Sequence, residues 1–402
     1  MRFNLVNCKT WVEIDAAALR HNLSIFEKLT GDTRIMAVVK ANAYGHGIAE
    51  VANILATSAK INLRVSSLKS RENQNAKIKA TNQNSKLFFG VDTVDEALLM
   101  RNLNIKNSIL ALGYIPREQL KEATENDISF SVYSKDLLEM IAKKQWQKNP
   151  RVHIKIETGT NRLGMRLKEL TEAAPLLKKR ASWIEGVYTH FAETENPLSS
   201  FWKEQIARFD EAVAFLKNMG CRPIRHAASS AGALLYPETR YDMVRVGIGL
   251  YGLWPSRDIK SRIMNHKSWK KKIFLKPVLS WKTRIAQIKK IKKGETVGYD
   301  RTWSAKRPAT IAILPVGYWD GYDRHISHKG EVLIRGARAP VAGRVCMNMI
   351  MADVTDIKHI AMGDEATLLG VEITAEDIAE KIGTINYEVV ARINPLIPRR
   401  II

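Results

Sequence analysis

The sequence predicts an α/β chain, an N-terminal parallel sheet with a smaller, mostly β domain behind it, on three observations. Apolar runs over residues 34–39, 87–90, 109–112, 152–156, 184–189 and 243–246 are separated by helical stretches. Strand and helix alternating over about 240 residues imply a parallel sheet, and alternation alone leaves open whether that sheet is open or closed into a barrel. Beyond Leu253 the pattern changes: Pro255 and Pro277 bracket a lysine-rich connection, and short β-like runs broken by Gly and Pro follow it.

Taken in order, Asp15 is a fitting N-cap for a helix that carries Leu19, Leu23 and Phe26 at helical spacing and closes at Gly31. A buried strand then delivers Lys40 into Ala-Asn-Ala-Tyr-Gly-His-Gly, residues 41–47. Residues 66–85, rich in Lys, Asn, Gln and Ser, offer no core face and are expected to form a mobile surface excursion. Residues 134–144 and 202–218 read as helices. Residues 278–291, 309–314, 331–334, 349–354 and 366–369 read as strands, and helical character returns over 374–382, where Thr374 and Asp377 form a capping box. The expected domains are 11–254, then a basic linker over 255–272, then a β domain over 273–402 with which residues 1–10 pack.

Length and composition bound the function. With 402 residues, 45% of them hydrophobic, the chain can bury a barrel-sized core and a second one. Cys8, Cys221 and Cys346 form neither a disulfide framework nor a CxxC metal pattern, which favours a reducing cytoplasm. The N-terminus lacks the apolar core of a secretory signal, and no run approaches the ~18 apolar residues that span a bilayer. The net charge of +22 argues for polyanion contact, and residues 261–295 hold twelve Lys or Arg against one acid. No helix-turn-helix, zinc-finger or RNP-like pattern accompanies that patch, so nucleic acid is not an expected partner.

Several stretches carry chemistry. An amine placed where a buried strand gives way to a loop, as at Lys40, can form a Schiff base with an aldehyde cofactor. In His153-Ile-Lys-Ile-Glu-Thr-Gly-Thr-Asn-Arg-Leu-Gly164, Arg162 could hold a carboxylate or phenolate through charge-assisted bonds. His190 ends another strand, where it could tune a neighbouring acid. The small residues of 226–232 and 244–252 suit phosphate binding through backbone amides. Arg245, buried beside a pyridine nitrogen, would keep that nitrogen unprotonated, because Arg itself stays charged. Tyr299 follows Gly298 in the β domain and is a candidate acid/base. His325 and His328 lack the cysteines or carboxylates that would complete a metal site, so no metal is expected.

These stretches, headed by Ala-Val-Val-Lys-Ala-Asn-Ala-Tyr-Gly-His-Gly over 37–47, occur in the order found in alanine racemases of the pyridoxal-phosphate barrel type, which the chain resembles from about Trp11 to Arg399. The resemblance implies an N-terminal (β/α)8 barrel, a mostly β C-terminal domain and a homodimer with shared sites. It implies that Lys40 holds pyridoxal 5'-phosphate, that Tyr44, Ser230, Gly247, Ile248 and Tyr387 contact its phosphate, and that Arg245 faces its ring nitrogen and Arg162 its phenolic oxygen. It implies too that Tyr299 of the partner subunit is the second base, with His190 hydrogen-bonding near it. Met347 would offer a backbone contact to substrate, Tyr318 would line the entry channel, and Lys155 matches a lysine often carbamylated in the family. The activity implied is interconversion of L- and D-alanine for cell-wall peptide, in the cytoplasm. Asn348 and Ser229 depart from the family pattern of Asp and Asn.

Inversion needs a proton removed from one face of a planar carbanion and another delivered to the opposite face, which a lysine and a tyrosine on opposite sides would supply. A racemase of serine or lysine and a decarboxylase on the same barrel remain alternatives, as does a binding protein for cofactor or polyanion.

Overall fold

The structure, a computed structural model, describes residues 8–57, 86–270 and 273–402. The polar stretch 66–85 lies outside the described residues, as do Lys271, Lys272 and residues 1–7. The first strand, β1 (Thr10–Ile14), leads into a helix over Ala16–Thr30. Asp15 Oδ1 accepts from the Ala18 amide at 2.8 Å, which satisfies one of the donors that a helix start leaves unpaired. Leu19 and Phe26 are fully buried on the inner face of this helix, and Gly31 closes it at φ +63°. Replacing Asp15 by Ala is expected to cost about 1 kcal/mol. A lower urea midpoint at unchanged slope would show it.

Eight parallel strands follow among the described residues: β2 (Arg34–Val38), β3 (Leu87–Val91), β4 (Ile109–Ala111), β5 (Ile128–Val132), β6 (Val152–Lys155), β7 (Ile184–Tyr188), β8 (Ile224–His226) and β9 (Met243–Val246). Pairing of β2 with β9 closes them into a barrel, which settles what alternation left open. Most of these strands are buried end to end, as parallel strands covered on both faces require. Two were not legible in the sequence. In β5, Ile-Ser-Phe-Ser-Val, the serines are buried inside the barrel: Ser131 Oγ lies 2.9 Å from the Ala111 carbonyl and 2.7 Å from the Tyr188 hydroxyl. β8 has three residues, two of them Arg and His.

The chain forms two compact units, and their membership differs from the expected domains. One holds Leu19–Ala41 and Val51–Lys276; the other gathers the chain up to Ala18, Asn42–Glu50 and Pro277–Ile402. Residues 11–18, expected with the barrel, leave it because β1 pairs antiparallel with β10 (Leu279–Arg284) and parallel with β19 (Arg399–Ile401). Residues 42–50 leave it because Gly45 packs so closely on the Val390 carbonyl that a Cβ would collide, while Arg399 Nη2 donates to the Gly45 carbonyl at 2.9 Å. The expected basic linker is helical: Ser256 caps a helix over Arg257–Asn265 that buries Ile259 and Ile263, and Lys267–Lys270 follows.

In the second unit, β11 (Gln287–Ile291), β14 (Ala309–Leu314) and β17 (Ile350–Asp353) form a three-stranded sheet, and β12 (Thr296–Val297) pairs with β13 (Trp303–Ser304). β15 (Glu331–Ile334), β16 (Ala337–Pro340) and β18 (Glu365–Leu369) join β10, β1 and β19 in the order β16-β15-β18-β10-β1-β19. The capping box forms as read, Thr374 Oγ1 accepting from the Asp377 amide at 3.1 Å. Lys289 and Lys290 are exposed on β11, the edge of its sheet, where lysines discourage edge-to-edge pairing. That gives part of the basic patch a structural reason. No helix among the described residues is long and apolar enough to cross a membrane.

Candidate functional site

Lys40 leaves the C-terminal end of β2, the side on which barrels of this type gather their chemistry. It opens a helical turn, Lys40–Tyr44, in which φ is +53° at Ala41, Asn42, Ala43 and Tyr44, so the turn winds left-handed. Such a residue costs roughly 1–2 kcal/mol when it is not glycine. Glu96 offsets part of this, its Oε1 accepting from the Ala41 amide and its Oε2 from the Asp92 amide, both at 2.7 Å. Asn42 Oδ1 accepts from the Ile48 amide at 2.9 Å. Lys40 Nζ comes to rest 3.3 Å from Asp92 Oδ1, just beyond β3.

Around this mouth the barrel collects cations. Lys155 ends β6; burial, then the charges of Arg162, Arg245 and Lys40, bring its amine down to about 8. Burial, then Arg245, Arg162, Lys155 and Lys40, push the His190 imidazole down to about 3, so that ring is neutral. Its Nδ1 faces Arg245 Nη2 at 3.3 Å and must accept, which leaves the proton on Nε2. Arg245 is buried, with no carboxylate beside it among the described residues. It donates to the carbonyls of Thr189 (2.7 Å), Ala227 (2.9 Å) and His226 (3.0 Å) and to His226 Nδ1 at 3.0 Å. Burial lowers its guanidinium to about 10, which keeps it cationic at neutral pH.

Arg162 rides on a loop shaped by Glu157, whose carboxylate accepts from the Gly159 amide at 2.6 Å and the Arg162 amide at 3.2 Å. Lys155, Glu157, Thr160, Arg162 and His190 line one small cleft. On the loops after β8 and β9, the seventh and eighth barrel strands, Ser230 Oγ accepts from the amides of Gly247 (3.0 Å) and Gly249 (3.2 Å), and Ile248 opens a short turn. Next to it the buried Ser229 Oγ has no hydrogen-bond partner among the described residues. These are the loops on which barrels commonly bind phosphate.

The structure therefore brings Lys40, Lys155, Arg162, His190 and Arg245 to the barrel mouth, with Ser230, Gly247 and Ile248 on adjoining loops. The other candidates sit in the second unit. The Tyr44 ring lies 6.1 Å from that of Tyr387. Tyr299 is 67% exposed, and Tyr318, Trp319 and Met347 are exposed too. The Tyr318 and Trp319 amides donate to the carbonyls of Cys346 and Met347 at 3.0 Å each, and a Cβ on Gly317 would collide with those same carbonyls. His325 is exposed and bonds Asp323 at 2.9 Å; no group of three metal-ligating side chains occurs among the described residues. Asp92, Glu96 and Glu157 escaped the sequence reading, since nothing in their spacing marks them.

Two family models match: "Alanine racemase, N-terminal domain" over residues 14–69 and 76–255, and "Alanine racemase, C-terminal domain" over 278–401. This chain belongs to the alanine racemase family. Among similar curated proteins are an alanine racemase from Carboxydothermus hydrogenoformans, 36% identical with 97% of this chain and 98% of the relative covered, and alanine racemase 2 from Oceanobacillus iheyensis, 35% identical with 97% and 92% covered. A solved alanine racemase from Clostridium difficile 630 matches at TM-score 0.84 and 31% identity, covering 98% and 96%. One from Bacillus anthracis, solved with bound L-Ala-P, matches at TM-score 0.83 and 33% identity, covering 98% and 95%. The chain is accordingly an enzyme, an amino-acid isomerase of the racemase type.

Proposed function

We propose that the protein interconverts L- and D-alanine with pyridoxal 5'-phosphate as cofactor, using Lys40 and Tyr299 of a second copy as acid/base groups on opposite faces of the substrate, and that it supplies D-alanine for cell-wall peptide. The observation that carries this reading is a buried guanidinium, Arg245, with no carboxylate against it among the described residues, in the same barrel mouth as the Lys40 amine.

The residues fit the cofactor. An orphaned Ser229 hydroxyl, Ser230 and the backbone around Gly247 and Ile248 suit a phosphate. A permanently charged donor suits a pyridine nitrogen that accepts rather than donates. Pyridoxal phosphate supplies an electron-withdrawing ring to take up the electron pair left by a departing α-proton. Arg245 would hold the ring nitrogen as a donor and, staying charged, would keep it unprotonated, which would moderate that uptake and disfavour transamination. Lys40 Nζ moves the proton on one face. Arg162, on the loop anchored by Glu157, orients a carboxylate or phenolate oxygen. His190 Nε2 presents a hydrogen-bond donor, which suits the Tyr299 oxygen of a second copy. Exposed Tyr299, Tyr318, Trp319 and Met347 support the dimer, since a patch of large apolar side chains in water marks an interaction surface. Three free thiols favour a cytoplasmic setting.

The test is a panel of amino acids incubated with pure protein and pyridoxal phosphate, followed by chiral chromatography and carbon dioxide detection. D-alanine from L-alanine is expected; silence on alanine with turnover of serine or lysine would redirect the substrate. Lys155 carries a further expectation. Its amine titrates near 8, so a reactive neutral fraction exists at neutral pH and grows as pH rises. Carbamylation of Lys155 would place an anion beside Arg162. Enzyme equilibrated with 13C-bicarbonate should show a carbamate signal that Lys155→Ala lacks.

A further inference from the structure

Arg245 is a buried cation whose hydrogen bonds all go to neutral groups. Behind it runs a chain of side chains, His226 and His153 fully buried and Glu185 part-buried at its far end. Arg245 Nη1 meets His226 Nδ1 at 3.0 Å, His226 Nε2 meets His153 Nδ1 at 2.9 Å, and His153 Nε2 meets Glu185 Oε2 at 3.3 Å. Arginine only donates, so His226 Nδ1 accepts and its proton sits on Nε2. That proton goes to His153 Nδ1, which leaves His153 to donate from Nε2 to the carboxylate. Each step forces the next.

The backbone is built around this line. The β6–β7 ladder pairs Val152 with Ile184 and His153 with Gly186, so Glu185 is the extra residue of a β-bulge, a device that re-aims a side chain. A Cβ on Gly186 would collide with the His153 ring. The Tyr188 ring stacks on His226 at 4.8 Å between centroids and 10° between planes. Ser129 Oγ donates to Glu185 Oε2, and Arg151 lies 3.9 Å from Oε1.

We propose that Glu185, through His153 and His226, is a positioning residue for the racemase reaction: a one-way hydrogen-bond relay across the barrel holds the Arg245 guanidinium in place and balances its charge from a distance. A carboxylate directly on Arg245 would do the balancing but blunt the cation where it is needed. Two polarised imidazoles between them separate the ion pair while keeping every buried donor satisfied.

The inference rests on the pyridoxal-phosphate reading for its purpose and not for its geometry, and the test separates the two. In full-length protein labelled with 15N-histidine and free of added cofactor, His226 and His153 should both show the neutral tautomer protonated at Nε2. A His226 protonated on Nδ1 in the wild type overturns the relay, whatever the activity. Glu185→Gln should leave the His226 tautomer, which Arg245 sets, in place but shift the His153 Nε2 resonance, because the charge that this N–H donates to is gone. It should also lower kcat between about tenfold and a hundredfold, the effect of slight misplacement of a catalytic group, with little change in KM. The absorbance spectrum of bound pyridoxal phosphate should shift with it, and Glu185→Asp should recover part of the rate. An unchanged His153 Nε2 resonance and an unchanged kcat in Glu185→Gln would also overturn the proposal. A wild type with the expected tautomers and no racemase activity would sink the cofactor reading and leave the relay standing.

Discussion

Lys40→Ala should abolish racemisation, with the rate of D-alanine formation falling by at least about 10⁴-fold. The fold should survive. Lys40 pairs with Asp92 in an ion pair whose side chains are 42% and 49% exposed, and such pairs contribute at most about 1 kcal/mol. A loss of that size with an unchanged melting temperature would therefore be chemical. The variant should also fail to retain pyridoxal phosphate through borohydride reduction, whereas wild type should carry the mass of the reduced cofactor on the peptide containing Lys40. A variant that keeps a substantial rate would remove Lys40 from the mechanism and with it the cofactor reading.

Tyr299→Phe removes one oxygen from a side chain that is 67% exposed in the protomer, so stability should hardly move. Racemisation should fall by about 10³-fold, the middle of the range for a lost acid/base group. If two groups serve opposite faces, exchange of the α-hydrogen with deuterated solvent should continue for one enantiomer of alanine and stop for the other. Mixing the two variants tests where the groups come from. In a dimer with composite sites, a Lys40→Ala protomer beside a Tyr299→Phe protomer has one intact site and one doubly damaged site. Random exchange should then restore about a quarter of wild-type activity from two dead proteins. A mixture that stays dead, given demonstrated exchange, would place both groups in one chain.

What the sequence disclosed divides along physical lines. The helix capped by Asp15, the capping box at Thr374 and six barrel strands rest on local signals, either a cap residue or an apolar run, and all are present. β5 stayed hidden because buried serines inside a barrel look like a solvated face until Ser131 finds its partners, Ala111 and Tyr188. The left-handed turn after Lys40 has no local signature, since neither alanine nor tyrosine favours positive φ; it exists because Glu96, 55 residues away, holds the Ala41 amide. Of the site, Lys40, Arg162, His190 and Arg245 could be named from motifs. Glu157 acts on backbone amides, and the partners His153 and His226 are 73 residues apart. Neither leaves a periodic trace. The domain limits shifted for a similar reason: strand β1 belongs with whatever it bonds to, and its partners lie at the far end of the chain.

That pairing has a consequence for biosynthesis. β1 lies between β10 and β19, so this strand, translated before the barrel, waits for partners that are translated after it. At ordinary elongation rates the wait for β10 alone is roughly 15–50 s. Throughout it, Trp11, Val12 and Ile14, all buried in the finished protein, have no sheet to enter, although by its end every strand of the barrel has been translated. β1 is thus a segment that a chaperone would have to shield on the nascent chain, and a message truncated before Arg399 would leave β1 sticky and half-paired.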